Sequence, residues 1–161
     1  EGCGADPLIA SRMCAALVKG IQAKDVKYPI AACLKHYAGY GAATAGRDYY
    51  TVEIEESTFR NVYLPPFKAG VEAGVMTVMP AFNTLNGVPC SVNKWLLTDV
   101  LRGEWGFDGI VMTDWWAKGN WEGQNGDMRT RAPMVRAQND LYMVISDCLK
   151  NEEIDDLKWE R

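Results

Sequence analysis

Four short apolar runs, alternating with stretches of helical spacing, constrain this chain more than any other feature. They begin near positions 30, 75, 109 and 140, about 45, 34 and 31 residues apart. Such alternation argues for parallel strands joined by crossover helices. The expected fold class is α/β: a partial (β/α)8 TIM-type barrel of about four β/α units, half of the eight in a ~250-residue barrel. A small doubly wound sheet is the alternative.

The runs are separated by recognisable start and stop signals. Asp6-Pro7 opens a helix over about 7–23, with Ile9, Met13, Ala16, Leu17 and Ile21 on one stripe. Tyr28 to Leu34 is the first strand, bringing Lys35 and His36 to its C-terminal end. Tyr37 to Tyr49 is a glycine-rich loop. Glu55 to Val62 reads as a short helix, Pro65-Pro66 starts another, and Gly74 stops it. Val75 to Met79 is the second strand, followed by a loop over 83–93 that holds the turn dipeptide Asn86-Gly87. Asn93 caps a helix from Lys94 to about Gly103. Gly109 to Thr113 is the third strand, and Asp114 ends it. A loop over 117–127, a helix near 128–137, a strand over Asp140 to Ile145 and a polar helix over 147–161 complete the chain.

Composition removes several function classes. The 161 residues carry 17 basic and 21 acidic side chains, a net charge of −4, with no basic stripe for a nucleic-acid backbone. No apolar run approaches the ~20 residues of a membrane-spanning helix. Five cysteines without a C-x-x-C pair do not form a zinc site, and they favour buried thiols and a reducing, cytoplasmic-type compartment. The single His36 excludes H-E-x-x-H and any multi-histidine metal centre. Gly39-Tyr-Gly41 lacks the third glycine of a dinucleotide loop, and no G-x-S-x-G elbow occurs. Glu1 and the lack of an export signal after it suggest an internal segment.

In such folds the polar residues at C-terminal strand ends line the site. Three ends qualify here: Lys35-His36, the Pro80 to Asn83 stretch, and Asp114-Trp115-Trp116. Asp114 follows five apolar or small residues directly, so its carboxylate is presented at the sheet rim. It can serve as a nucleophile at an electrophilic carbon, or as a solvated or capping side chain. Lys35 and His36 are adjacent donors suited to sugar hydroxyls, or a lysine beside a satisfied, partly buried imidazole. Arg47 can grip a carboxylate or hydroxyl with its planar fork, or form a surface salt bridge with Asp48 or a nearby glutamate. Six tryptophans and seven tyrosines offer flat apolar faces for packing or for sugar rings.

Three stretches together resemble glycoside hydrolase family 3, and its β-glucosidases in particular. They are KHYAGYGAATAGRDYYTVEIEESTFRNVYLPPFKAGVEAGV, VMPAFNTLNGVPCSVNKWLLTDVLRGEWGFDGIVMTDWWA and AQNDLYM, and the likeness as a whole spans about Gly4 to Ile145. The resemblance implies that residues 1–161 form the second half of the family's N-terminal barrel domain, with the following α/β sandwich domain absent. It implies retaining hydrolysis of β-glucosides or short oligosaccharides, with Asp114 as the catalytic nucleophile. Lys35, His36 and Arg47 would bind hydroxyls of the sugar in the cleaved subsite, and Trp115 would form a subsite wall. Phe82 stands where many relatives have Tyr or Met and keeps only the apolar surface. Asp140 matches a motif at the last strands, where Gln138 departs from the usual glycine.

The resemblance also implies what is missing. In the N-acetylglucosaminidase branch a second histidine after the Lys-His pair is the acid/base, and the loop here, KHYAGYGA, has none. The β-glucosidase branch takes a glutamate from the sandwich domain, so the acid/base lies outside this chain and the isolated chain would be inactive. No metal or organic cofactor is implied. The implied partner is a small-molecule carbohydrate, with no nucleic acid or membrane. Open sheet edges of a half barrel invite self-association. A non-catalytic sugar-binding relative and a β-xylosidase or other exo-glycosidase are the alternative readings.

Overall fold

The computed structural model describes residues 2–25, 27–47, 50–115 and 131–143. The first helix, α1 (Pro7–Ile21), starts as the sequence dictates: the Asp6 carboxylate accepts from the amides of Leu8 and Ile9, and Pro7 occupies the first turn. The first strand, β1 (Cys33–Tyr37), begins later than the apolar run that announces it. Tyr28 and Ile30 are exposed, and Lys35 and His36 lie inside the strand rather than just beyond it. The reason is pairing: Cys33 and Leu34 face Thr77 and Val78 on the neighbouring strand, whereas residues 28–31 precede that partner.

The glycine-rich stretch forms two 3-10 turns, Tyr40–Ala42 and Thr44–Gly46, and a two-residue strand, β2 (Thr51–Val52). A short helix, α2 (Glu56–Thr58), runs on into a π-helical turn over Phe59–Tyr63. Pro65 starts α3 (Pro65–Glu72), which packs along α1. Gly70 makes that packing close: a Cβ there would come within 2.6 Å of Leu34 Cδ1 and 3.1 Å of Cys14 Sγ. Strand β3 (Thr77–Pro80) follows and is buried throughout.

The expected loop over 83–93 contains a hairpin, β4 (Thr84–Leu85) and β5 (Val88–Pro89). Asn86 and Gly87 both have positive φ (48° and 84°), the condition for a tight two-residue hairpin turn. Asn93 Oδ1 accepts from the Leu96 amide at 3.1 Å and caps the next helix, which is π-helical over Trp95–Glu104. Its Leu96, Leu97, Val100 and Leu101 are all buried. Strand β6 (Ile110–Val111) and helix α4 (Arg131–Arg136) complete the described elements. Of the fourth expected strand, Leu141 pairs in parallel with Met112. The loop over 117–127, residues 144–145 of that strand and the polar helix over 147–161 lie outside the described residues, as do Trp116 and Cys148.

The main sheet has the order β1-β3-β6, all parallel, and the Met112–Leu141 bridge continues it. This is the mixed α/β, partial-barrel arrangement expected from the alternation. A second small sheet, β2-β4-β5, is built from the segments that follow β1 and β3 in the chain. The core lies between the main sheet and the helices, around Tyr37, Phe59, Val78, Leu97, Leu101 and Val111. Tyr37 is wholly buried, edge-on to Phe67 and Trp105, and donates its hydroxyl to the Leu96 carbonyl at 3.1 Å. Burial holds its phenol well above the ordinary value, so it stays a donor. At the opposite end of the strands, Gln22 Oε1 accepts from the amides of Ala32 and Met76, tying the starts of two segments to α1.

Candidate active site

The site is built at the C-terminal ends of the parallel strands. His36 comes from β1, and Asp114 follows β6 by three residues. Strand β3 lies between them. Two strand spacings separate their backbones by roughly 9.5 Å. Only side chains can close that gap, and they do: His36 Nε2 is 3.0 Å from Asp114 Oδ2. The intervening strand ends in Pro80 and the small, buried Ala81, whose amide donates to the Tyr37 carbonyl at 2.6 Å.

The sequence explains why the polar pair stands clear of the core. The pairing between β1 and β3 shifts between Leu34 and Tyr37. The shift interrupts strict alternation, so two consecutive residues, Lys35 and His36, carry accessible side chains between the buried Leu34 and Tyr37. The Lys35–His36 and Tyr37–Ala38 peptide bonds are both cis. After β6, Thr113 is buried and holds its position through two bonds. Its amide donates to the Leu141 carbonyl at 2.8 Å, and its hydroxyl accepts from the Met143 amide at 2.9 Å. Asp114 therefore leaves a fixed backbone.

Each oxygen of that carboxylate has a partner. Oδ1 accepts from the Trp115 amide at 2.6 Å and Oδ2 faces His36. The Asp114 side chain nevertheless keeps 17% of its surface open and His36 keeps 25%. A carboxylate so oriented and partly open can accept a proton or attack an electrophilic carbon. Trp115 is half exposed beside it and offers an aromatic face.

The remaining expected residues are placed as follows. Lys35 is exposed on β1, next to His36. Phe82 is half-buried two residues past the end of β3. Arg47 is exposed after the second 3-10 turn, with its guanidinium carbon 5.3 Å from the Tyr50 ring centre. Direct contact thus joins His36 and Asp114, with Trp115 bound through its backbone. One residue, Tyr40, escaped the sequence reading, and another, Asn83, stood among the candidate strand ends without an assigned role. Tyr40 lies with its ring 5.2 Å from that of His36. Asn83, fully buried, donates to the carbonyls of Ala38 and Thr84 at 3.3 Å and pins the loop after β1 to the loop after β3. Tyr40 was visible only as one more aromatic in a glycine-rich loop. Asn83 stood in the right strand end, but nothing in its neighbours separated a buried brace from a surface polar residue. Among the described residues no group of three or more His, Cys, Asp or Glu is gathered to hold a metal, and no helix is long and apolar enough to cross a membrane.

Known proteins are similar to this chain in sequence and fold. Residues 1–159 match the Glycosyl hydrolase family 3 N terminal domain. A periplasmic beta-glucosidase of Salmonella typhimurium is 45% identical over 116 residues, 71% of this chain and 15% of that protein. A beta-xylosidase of Formosa agariphila is 44% identical over 120 residues, 71% of this chain and 16% of that protein. The beta-glucosidase of Listeria innocua, solved in complex with glucose, superposes with a TM-score of 0.82 at 37% identity, over 92% of this chain and 22% of that one. The chain therefore spans about a sixth to a fifth of the length of the relatives it matches. Motifs, parallel strands and relatives agree: the chain belongs to glycosyl hydrolase family 3, within the family's N-terminal domain.

Proposed function

We propose that this chain is the second half of the barrel domain of a retaining β-glycosidase that acts on β-glucosides or short oligosaccharides. The observation that carries the reading is the 3.0 Å contact between His36 and Asp114 at the C-terminal ends of parallel strands. Asp114 attacks the anomeric carbon, the bond from that carbon to the leaving oxygen breaks, and a glycosyl-Asp114 ester forms. A carboxylic acid supplied from outside these 161 residues gives its proton to the leaving oxygen. As a carboxylate it then takes a proton from water, which attacks the same carbon and releases Asp114. Retention needs the two carboxyl groups ~5–5.5 Å apart. Lys35, His36 and Arg47 hold sugar hydroxyls, Trp115 forms a wall, and Phe82 supplies apolar surface. The β-xylosidase relative favours a xyloside as the second substrate class.

The same reading makes the isolated chain incomplete. It supplies no acid/base, and β1 is the outer strand of the described sheet. Leu8, Ile9, Met13, Leu17 and Ile21 of α1 are exposed, with Tyr28 and Ile30 after it. Such a surface favours self-association in solution. The test has two arms. The 161-residue chain alone should turn over no aryl β-glucoside. Residues 2–143, placed in the matching segment of the Listeria innocua β-glucosidase, should support turnover that Asp114→Ala abolishes by at least ~10³-fold. Turnover by the isolated chain, or an active Asp114→Ala chimaera, contradicts the reading.

A further inference from the structure

Arg102 and Asp140 lie away from the sugar-facing rim, yet their bonds converge on the strand that ends in Asp114. Arg102, in the last turn of the π-helix, donates from Nη1 to the carbonyls of Phe107 and Gly109 at 3.3 and 3.2 Å. From Nη2 it donates to the Gln138 carbonyl at 3.3 Å and to Asp140 Oδ2 at 2.7 Å. The same Asp140 oxygen accepts from the Val111 amide at 2.7 Å. The amides of Asp140 and Leu141 return to the Val111 carbonyl at 2.8 and 3.1 Å. One guanidinium and one carboxylate thus join three segments: the helix end, the approach to β6, and residues 138–141.

The other edge of this strand is held by ordinary ladder bonds, from the amides of Ile110 and Met112 to the carbonyls of Met76 and Val78. At Val111 a carboxylate stands where a further strand would offer a carbonyl. Only two residues, Met112 and Thr113, separate Val111 from Asp114, a span of roughly 10 Å in extended chain. One of them is the buried and doubly bonded Thr113, so little slack intervenes. A hydrogen bond of 3.0 Å does not survive a displacement of the order of 1 Å. We infer that Arg102 and Asp140 are a positioning pair, setting how far β6 carries Asp114 toward His36. The catalytic purpose of that positioning rests on the glycosidase reading; the coupling itself does not.

The experiment uses the fact that His36 is the only histidine in the chain. Its imidazole gives unique ring signals in NMR spectra of the 161-residue chain, read without substrate. Asp114→Asn defines the signal positions when the carboxylate is lost. Arg102→Met and Asp140→Ala should move the His36 ring signals more than half of the way to those positions. Arg102→Lys and Asp140→Asn, which keep part of the bonding and disturb folding least, should move them in the same direction by less. Val18→Ala, a buried change in α1, should lower the unfolding midpoint and leave the signals in place. His36 signals that coincide with wild type in the folded Arg102→Lys and Asp140→Asn variants would overturn the proposal. So would an equal displacement in Val18→Ala, which would make the effect one of general destabilisation. A failed glycosidase assay leaves these spectra unaltered, so the two ideas fail separately.

Discussion

The two long helices near the ends of the described core carry similar apolar stripes and meet opposite fates. In the π-helix over Trp95–Glu104, Leu96, Leu97, Val100 and Leu101 are all closed off from water. In α1, five large apolar side chains remain exposed and Val18 alone is buried. The sequence announces both helices, α1 by its Asp6 cap and apolar stripe and the other by its Asn93 cap. What differs is the supply of neighbours: the first lies against the sheet and Tyr37, whereas α1 has α3 on one side and open solvent on the other. A hydrophobic stripe reports which face a helix would bury, and burial itself needs the partner surface.

That contrast can be broken by paired substitutions. Leu97→Ala removes a side chain with no exposed surface and should cost about 2–5 kcal/mol in urea unfolding, through lost transfer energy and a residual cavity. Leu17→Ser, at an exposed position of α1, should change stability by no more than about 0.5 kcal/mol. It should instead shift the sedimentation profile toward monomer, because it interrupts the open apolar row. Equal stability losses at the two positions would show that α1 is covered in solution.

Much of this is legible in the amino-acid sequence, and the limits have physical causes. Asp6-Pro7, Asn93 and Gly74 mark helix ends by local chemistry, and the structure keeps all three boundaries to within a residue or two. Strand β1 was harder. The run from Tyr28 to Leu34 has the composition of a buried strand, but pairing with Thr77 and Val78 starts at Cys33. The hairpin at 84–89 was announced by Asn86-Gly87, but its strands of two residues each are too short to show a period. At the site, Asp114 stood out because a carboxylate directly after an apolar strand has few places to go. Its contact with His36 joins residues far apart in sequence and depends on strand order, which no local pattern carries.

The smallest expected effect lies on the surface of the π-helix. Arg60 bonds both oxygens of Glu104, at 2.8 and 2.9 Å, and lowers its carboxyl below the ordinary value. A group depressed in the folded state adds stability above its unfolded value, and that stability is lost as pH falls through the carboxylate range. Glu104→Gln should therefore flatten the acid limb of the stability curve. Both side chains are about a third to a half exposed, so the change should stay under about 1 kcal/mol. A larger change, or one confined to alkaline pH, would contradict this account of the pair.

The central claim is that Asp114 is the atom-bonding residue, and trapping tests it most directly. The chimaera holding residues 2–143 would be incubated with a 2-deoxy-2-fluoro-β-glucoside bearing a good leaving group, then digested and mapped by mass. Fluorine at C2 disfavours the oxocarbenium-like transition state and lets the ester accumulate. The account predicts one added fluoroglucosyl mass on the peptide that contains Asp114, absent after Asp114→Ala. The same mass on a different residue, or a label that survives Asp114→Ala, would contradict it.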